Sequence, residues 1–514
     1  MKGNMLRKSL VVSIIILFIG ACFIKLGAVE NNKQFNFQIR DNPTVNNHND
    51  ASDLTDNLQV KNPKFELPVW GGAMVHSDPH MSDYVCLPVP KNNVKILWHC
   101  TGLVGEKTGS IGNGISGNGE IAACTFAGKS DTLVIYDYDG NRIWSSGDLL
   151  NFWTVSSASM VDIHGRVIIC DNRIVVMIDT FDYDNDSKIV EWVSELPYGG
   201  LPWSPVITED GTIIIATERG PIYAFNSSDG SLIACKYLGE NERIRFLDRL
   251  LRIDGKGSFS TINTPCVKGN RIYISTHYEG PRGMPTLLRH ARLYAVDIDS
   301  DNPNVDDRLS EAWYFEFGGP SQASPTLIND TIYFDGYRSK PSLRRDPHVF
   351  AVTDKGDHCE EKWSVPYPRV TYASFAFDPR GGFWYVDPLG GLLVHFSTED
   401  GNILEKIVID ERVQEKGIHV PSSVMTIFGN DTNPVLIVSA TALRPIRANS
   451  YVIAIDLSAN NSLLWKVKLF EGPLRRINLA FGEYTILMKN GESRVLFGSF
   501  SDGVWAIGSA GSGN

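Results

Sequence analysis

The chain has 514 residues, 43% of them hydrophobic and 21% charged, enough apolar material for one large all-β domain or two to three ordinary ones. Its formal net charge of −11 argues against a general nucleic-acid binder. None of the eight cysteines lies in a C-x-x-C or C-x-x-C-H pattern, which disfavours zinc ribbons, thioredoxin-like redox motifs and c-type haem attachment.

From the N-terminus, Lys2, Arg7 and Lys8 precede the apolar run Leu10 to Ala21, the layout of a signal sequence. Ile19-Gly20-Ala21-Cys22 resembles a bacterial lipobox, which would make Cys22 a lipidated mature N-terminus, yet FIKLGAV stays apolar beyond it. Lys25 interrupts the run before the ~20 residues that a spanning helix needs. Lipidation, an uncleaved anchor and ordinary cleavage all remain open for residues 1–29, and each places the rest of the chain across a membrane, attached to it in the first two cases. Residues 30–62 are Asn- and Asp-rich without periodicity and read as a flexible tether. Of the remaining cysteines, Cys86 with Cys100 is the one local disulfide to test, the others reading as buried strand residues.

Residues 63–510 are expected to form an array, with 511–514 a flexible tail. The stretch WSPVITEDGTIIIATERGPIYAFNSSDGSLIACKYLG, Trp203 to Gly239, holds three β-runs separated by turn signals, and its skeleton recurs. Just before the first strand of each unit stand Ser116, Ser159, Ser204, Thr264, Ser324, Ser374, Ser423 and Asn478, spaced 43, 45, 60, 60, 50, 49 and 55 residues apart. In the fourth strand stand Trp98, Trp144, Trp192, Trp313, Trp363 and Trp465. Two units carry LIACKY and ILEKIVI instead. Two independent markers in one register give eight units of four short strands, the arithmetic of a β-propeller. The last unit supplies only about three strands, and VKILWHC, Val94 to Cys100, is available to complete it. The predicted fold is therefore an all-β, eight-bladed β-propeller closed by an N-terminal strand.

LVIYDYDGNRIW, IYAFNSSDGSLIA, RLYAVDID, VFAVTDKGDHCEEKW and YVIAIDLSANNSLLW resemble the repeat of the PQQ-like (quinoprotein alcohol dehydrogenase-like) propellers, whose pattern is roughly LYALDxxTGxxxW. VWGGAMVHSDPHMSDYV is similar to the lead-in of that group. The resemblance covers about residues 68 to 510 and implies the architecture. It admits two activities: PQQ-dependent dehydrogenases, and non-enzymatic scaffolds such as the outer-membrane assembly lipoprotein of Gram-negative bacteria, to which this chain is closer in character. The dehydrogenases sandwich the quinone between a Cys-Cys ring and a Trp over an axial Ca2+. This chain has no adjacent cysteine pair, and its axial residues are Ser, Thr and Asn, poor company for a calcium ion that prefers carboxylates and carbonyls. No cofactor is expected; PQQ and Ca2+ belong to the alternative reading. Trp203 and Trp153 read as packing residues that could line the axis.

Other constellations are weaker. His76, Asp78 and His80 in HSDPH read as a turn before a metal site. Asp182, Asp184 and Asp186, and likewise Asp297, Asp299 and Asp301, resemble calcium loops but read as turn residues. No nucleophile elbow, P-loop or dinucleotide fingerprint sits in a suitable context. The chain spends its extra residues on long loops between second and third strands and on the connector after the third unit, which carry Arg243, Arg249, Arg282, Arg289, Arg292, Arg338, Arg344, Arg345, Arg444 and Arg447. Such loops and connectors share one face of a propeller, so a basic face is expected there, suited to a protein partner or an anionic polymer; the alternative is that these arginines pair locally. The Ser/Thr-lined axis is a second candidate pocket. The propeller is expected to be monomeric, without nucleic acid.

Overall fold

A computed structural model describes residues 64–510 except 101–111, 127–130, 151–156, 172, 181–189, 219, 240–258, 262, 279–290, 322, 339–345, 372–373, 388–390, 416–417, 422–423, 445, 474–479 and 500–502. Among the described residues eight blades follow in chain order: blade 1 over 112–145, blade 2 over 160–195, blade 3 over 206–236, blade 4 over 259–317, blade 5 over 319–366, blade 6 over 376–408, blade 7 over 418–473 and blade 8 over 480–509, with a separate two-stranded pair, Leu201–Pro202 and Thr217–Glu218, at blade 3. The described residues carry one short α-helix, Ile409–Val413, and one 3-10 turn, Val305–Asp307.

Each blade buries its middle strands on both faces, so these segments read as nearly continuous apolar runs: Ile213–Ile215 and Tyr223–Phe225 in blade 3 are fully buried. Outer strands alternate, as Val190–Glu195 does with Trp192 buried between exposed neighbours, because one face meets the next blade and the other meets solvent.

The strand Val94–Cys100 pairs antiparallel with Val504–Ser509 and completes blade 8. Trp98 packs against a cluster that joins Ile115, Cys124 and Val134 of blade 1 to Leu496, Val504 and Ala506 of blade 8. The ring is thus closed by the N-terminal strand, and the closure fills the apolar gap that a three-stranded blade would leave.

Trp465 Nε1 donates to Pro90 O at 2.8 Å, but at four other joints the repeated tryptophan has one job. Its indole N–H donates to the turn between the third and fourth strands of the next blade: Trp98 to Tyr138 O at 3.2 Å, Trp192 to Ser227 O at 3.2 Å, Trp313 to Asp354 Oδ1 at 2.9 Å and Trp363 to Thr398 O at 3.1 Å. For Trp98, Trp192 and Trp363 the ring lies over the glycine of that turn, Gly140, Gly230 and Gly401. Gly230 and Gly401 both have φ +71, and a Cβ there would stand 2.5 Å from Trp192 and 2.8 Å from Trp363. Only glycine meets both the backbone angle and the contact, which is why the DG and the Trp recur together.

The lead-in, read from the sequence as a turn, is a loop wound inside the ring. Its carbonyls accept from the first strands of successive blades: Gly72 from Gly117 N at 2.8 Å, Ala73 from Val161 N at 2.8 Å, Pro79 from Val267 N at 2.7 Å, His80 from Leu327 N at 2.9 Å, Ser82 from Phe377 N at 2.7 Å and Asp83 from Ile427 N at 2.8 Å. Blade 8 joins through Thr485 Oγ1, which donates to Gly72 O at 2.8 Å. Tyr84–Val85 runs parallel to the first strand of blade 7, and Cys86 N donates to Trp70 O at 2.7 Å, so the loop closes on itself. Inner edges that would otherwise expose unpaired N–H groups are satisfied by this one segment.

Candidate functional site

The predicted axial residues Ser116, Ser159, Ser204, Thr264, Ser324 and Ser374 are each 1% exposed or less; Ser423 and Asn478 lie outside the described residues. Their hydroxyls stitch neighbouring blades. Ser116 Oγ lies 2.7 Å from Ser159 Oγ, Ser204 Oγ accepts from Ala158 N at 2.7 Å, and Ser374 Oγ accepts from Ser324 N at 3.1 Å. A small hydroxyl at this position is therefore a blade-to-blade fastener. Beside these hydroxyls the lead-in loop runs along the inner edge of the blades. The stitching has gaps at Thr264 Oγ1 and Ser324 Oγ, which are buried without a hydrogen-bond partner, as are Ser77 Oγ of the loop and Trp203 Nε1 of blade 3.

At the axis stands a constellation that no sequence spacing announced. His76 Nδ1 lies 3.0 Å from Asp83 Oδ2, and His76 Nε2 lies 3.1 Å from Ser374 Oγ. The order of atoms is that of a Ser-His-Asp relay. Its surroundings are not. His76, Asp83 and Ser374 are 4%, 0% and 1% exposed, and Ser374 Oγ is already held by a backbone N–H in the way that Ser204 is. A nucleophile must meet its substrate, and this hydroxyl repeats a structural bond found elsewhere in the ring, so the triad serves the fold.

The charges there are nonetheless unusual. Burial pushes the Asp83 carboxyl up to about 7, against the pull of His76. Burial also raises Glu483 and Asp78 above the ordinary carboxylate value, opposed by His76 in the first case and by His80 and Ser82 in the second. Burial works to lower His76, but the Asp83 charge and hydrogen bond, helped by Glu483 and Asp78, outweigh it and hold the imidazole above its usual value. Four non-glycine residues of this loop have positive φ: His76 at 53°, Ser77 at 75°, Met81 at 56° and Asp83 at 48°. Such angles cost ~1–3 kcal/mol each and persist where surrounding contacts enforce them.

Asp83 is paired with His76, Ser116 and Ser159 are bonded to each other, and among the described residues no three His, Cys, Asp or Glu side chains are placed to hold a metal ion. Of the acidic turns, Asp297 is gripped by Arg271, whose Nε and Nη2 stand 2.5 and 2.9 Å from its two oxygens. Asp299 accepts from Asn302 and Asp301 is exposed; Asp182, Asp184 and Asp186 lie outside the described residues, as does Trp153.

Among the arginines of the predicted basic face, Arg292 is corrected. It is 5% exposed, donates to Glu316 Oε1 at 2.8 Å and Tyr294 Oη at 2.9 Å, and lies 3.8 Å over the Tyr314 ring, so it packs blade 4 instead of facing a partner. Arg338 and Arg444 are 45% and 50% exposed and pair with Glu361 at 2.6 Å and Glu415 at 2.9 Å. Arg447 is exposed. Arg243, Arg249, Arg282, Arg289, Arg344 and Arg345 lie outside the described residues. Cys86 and Cys100, the pair to test for a disulfide, are both free thiols, Cys86 exposed, with Cys100 Sγ 3.8 Å from Gly140 O.

No protein-family model matches the chain, and no curated protein matches it. Among solved structures, the europium-containing methanol dehydrogenase is similar with a TM-score of 0.53 and 10% identity, over 84% of this chain and 90% of that one. BamB from Moraxella catarrhalis gives 0.44 and 12%, over 82% and 99%. The dihydro-heme d1 dehydrogenase NirN in complex with DHE gives 0.48 and 9%, over 82% and 79%. With its eight blades, its clasping N-terminal strand and its docked tryptophans, the chain has the fold of the PQQ-like β-propellers.

Proposed function

We infer that this chain is a non-catalytic propeller of a cell envelope or cell surface, a rigid platform whose arginine-bearing loops bind a protein partner or an anionic polymer. The observation that carries this reading is the lead-in loop along the inner edge of the blades. The position where a propeller of this type can receive a small cofactor is taken by the loop 70–86 and by hydroxyls bonded across blades. Recognition is then left to the loops, where propellers vary most. Arg338, Arg444 and Arg447 keep guanidinium groups at the surface, and their fixed forks suit carboxylate, sulfate or phosphate. The similarity to methanol dehydrogenase at the level of fold is compatible with the second reading, a quinoprotein oxidoreductase of alcohols or sugars.

Two measurements separate them. The combined variant Arg289→Glu, Arg344→Glu and Arg345→Glu should lose retention on a heparin column and its crosslinked partners in intact cells, with an unchanged Tm. Retention equal to wild type removes the basic face. Addition of PQQ and Ca2+ should give neither a saturable absorbance change nor dye reduction with alcohols or sugars. Either signal establishes the oxidoreductase instead.

A further inference from the structure

The loop 70–86 is held in the axis by bonds to seven blades, yet it carries a concentration of ionisable side chains that a static plug does not need. His76 and Asp83 face one another. Glu483 approaches His76 from blade 8, Asp78 approaches it from the same loop, and Ser374 closes it from blade 6. Cys266 of blade 4 faces Asp78, whose other neighbours are Ser82 and the exposed His80. Among the described residues no lysine or arginine pairs with Asp78, Asp83 or Glu483. Buried Asp83 and Glu483 therefore share the one imidazole of His76, with half-buried Asp78 between it and His80, and only one of the two buried carboxyls can be balanced by His76 as an anion. The backbone that presents them is bent through four positive φ angles, so the loop is held by its partners and not by its own preference.

From this juxtaposition we propose that the loop 70–86 is a proton-dependent plug, locked in the axis while the His76–Asp83–Glu483–Asp78 cluster holds its protons and loosened as it loses them. The sign follows from binding. All four groups hold protons more tightly folded than unfolded, so the carboxyl contribution is fully present only below the ordinary carboxyl value of about 4, falls as pH rises, and is lost for Asp83 as pH passes through about 7. Each proton lost adds an uncompensated negative charge within the ring, and the cheapest relief is to expose the loop to water. What opens is a wall of small hydroxyls, of which Thr264 Oγ1 and Ser324 Oγ have no partner in the closed form.

The test is hydrogen exchange on the full chain at about pH 6 and about pH 8.5, with the known pH dependence of chemical exchange divided out. The amides of Val161, Val267, Leu327, Phe377 and Ile427 donate to the loop and should open at least about tenfold more at the higher pH. The third strand of blade 3, Ile222–Asn226, should keep its protection. Glu483→Gln and Asp83→Asn should each flatten the difference, the first serving if the second does not fold. Equal protection of the inner amides at both pH values overturns the proposal, as does an undiminished pH effect in Glu483→Gln. Simultaneous loss of protection in Ile222–Asn226 also overturns it, because the transition is then global unfolding.

Discussion

Two of the carboxylates that this ring draws out of water, Asp354 and Asp83, behave oppositely. At the rim between blades 4 and 5, Asp354 accepts from Arg271 Nη1 at 2.8 Å, Tyr273 Oη at 2.6 Å, Trp313 Nε1 at 2.9 Å and Gly356 N at 2.8 Å. Burial works to raise its pKa, but these donors outweigh burial and hold it below the usual carboxylate range. At the axis, Asp83 has one imidazole and several acidic neighbours, and burial wins. Depth alone does not set the sign; the count of donors and fixed cations around each oxygen does. The rim loses stability when pH falls, since a depressed carboxyl is a gain that protonation removes. The axis loses stability when pH rises.

The largest expected effect breaks the rim. Asp354→Ala leaves the Tyr273, Trp313 and Gly356 donors without their acceptor and takes from Arg271 one of its two carboxylates, and should cost about 3–4 kcal/mol in urea unfolding, with a shallower loss of stability below pH 5 than wild type. Trp363→Ala removes a docked ring that carries no charge and should cost about 3 kcal/mol, unchanged between pH 5 and 8. A pH-dependent loss there would mean that the joints are coupled to the axis. Asp335→Asn sharpens the comparison most. Asp335 lies in blade 5, accepts from Thr371 N at 2.6 Å and Tyr385 Oη at 3.1 Å, and is pushed up to about 7 by burial with no cation beside it. The asparagine variant should have a flatter stability profile between about pH 4 and pH 7, less destabilised than wild type as pH rises. An unaltered profile would show that donor count is not what decides. The smallest effect is expected at exposed Arg447: Arg447→Glu should shift stability by under ~0.5 kcal/mol, which marks it as a surface residue in thermal melts.

The blades were legible because their rules are short-range. Trp363 and Gly401, or Trp192 and Gly230, stand within forty residues of each other, and the serine before each first strand repeats with them, so two markers could be read in one register. The clasp was legible by arithmetic, as Val94–Cys100 filled a missing place. The lead-in was not. Its bonds reach Gly117, Val161, Val267, Leu327, Phe377 and Ile427, partners spread through the chain, and a loop that follows the inside of a ring has no hydrophobic period of its own. The signal present was the density of His and Asp in HSDPH beside Gly71 and Gly72, more charge than a solvated turn needs. Arg292 was misread for the same reason. It shares a strand face with Tyr294, but Tyr314 and Glu316, which complete its cage, come from the neighbouring strand.

The pairing of Val94–Cys100 with Val504–Ser509 has a consequence for biosynthesis. The first part of the domain to leave the ribosome cannot take its final place until the last strand has been made, so the newborn chain carries an open end through nearly its whole synthesis. A message cut short just before Val504 would leave every other strand of the blades encoded and the circle unjoined, and quality-control proteases would meet the same frayed N-terminal segment in every such product.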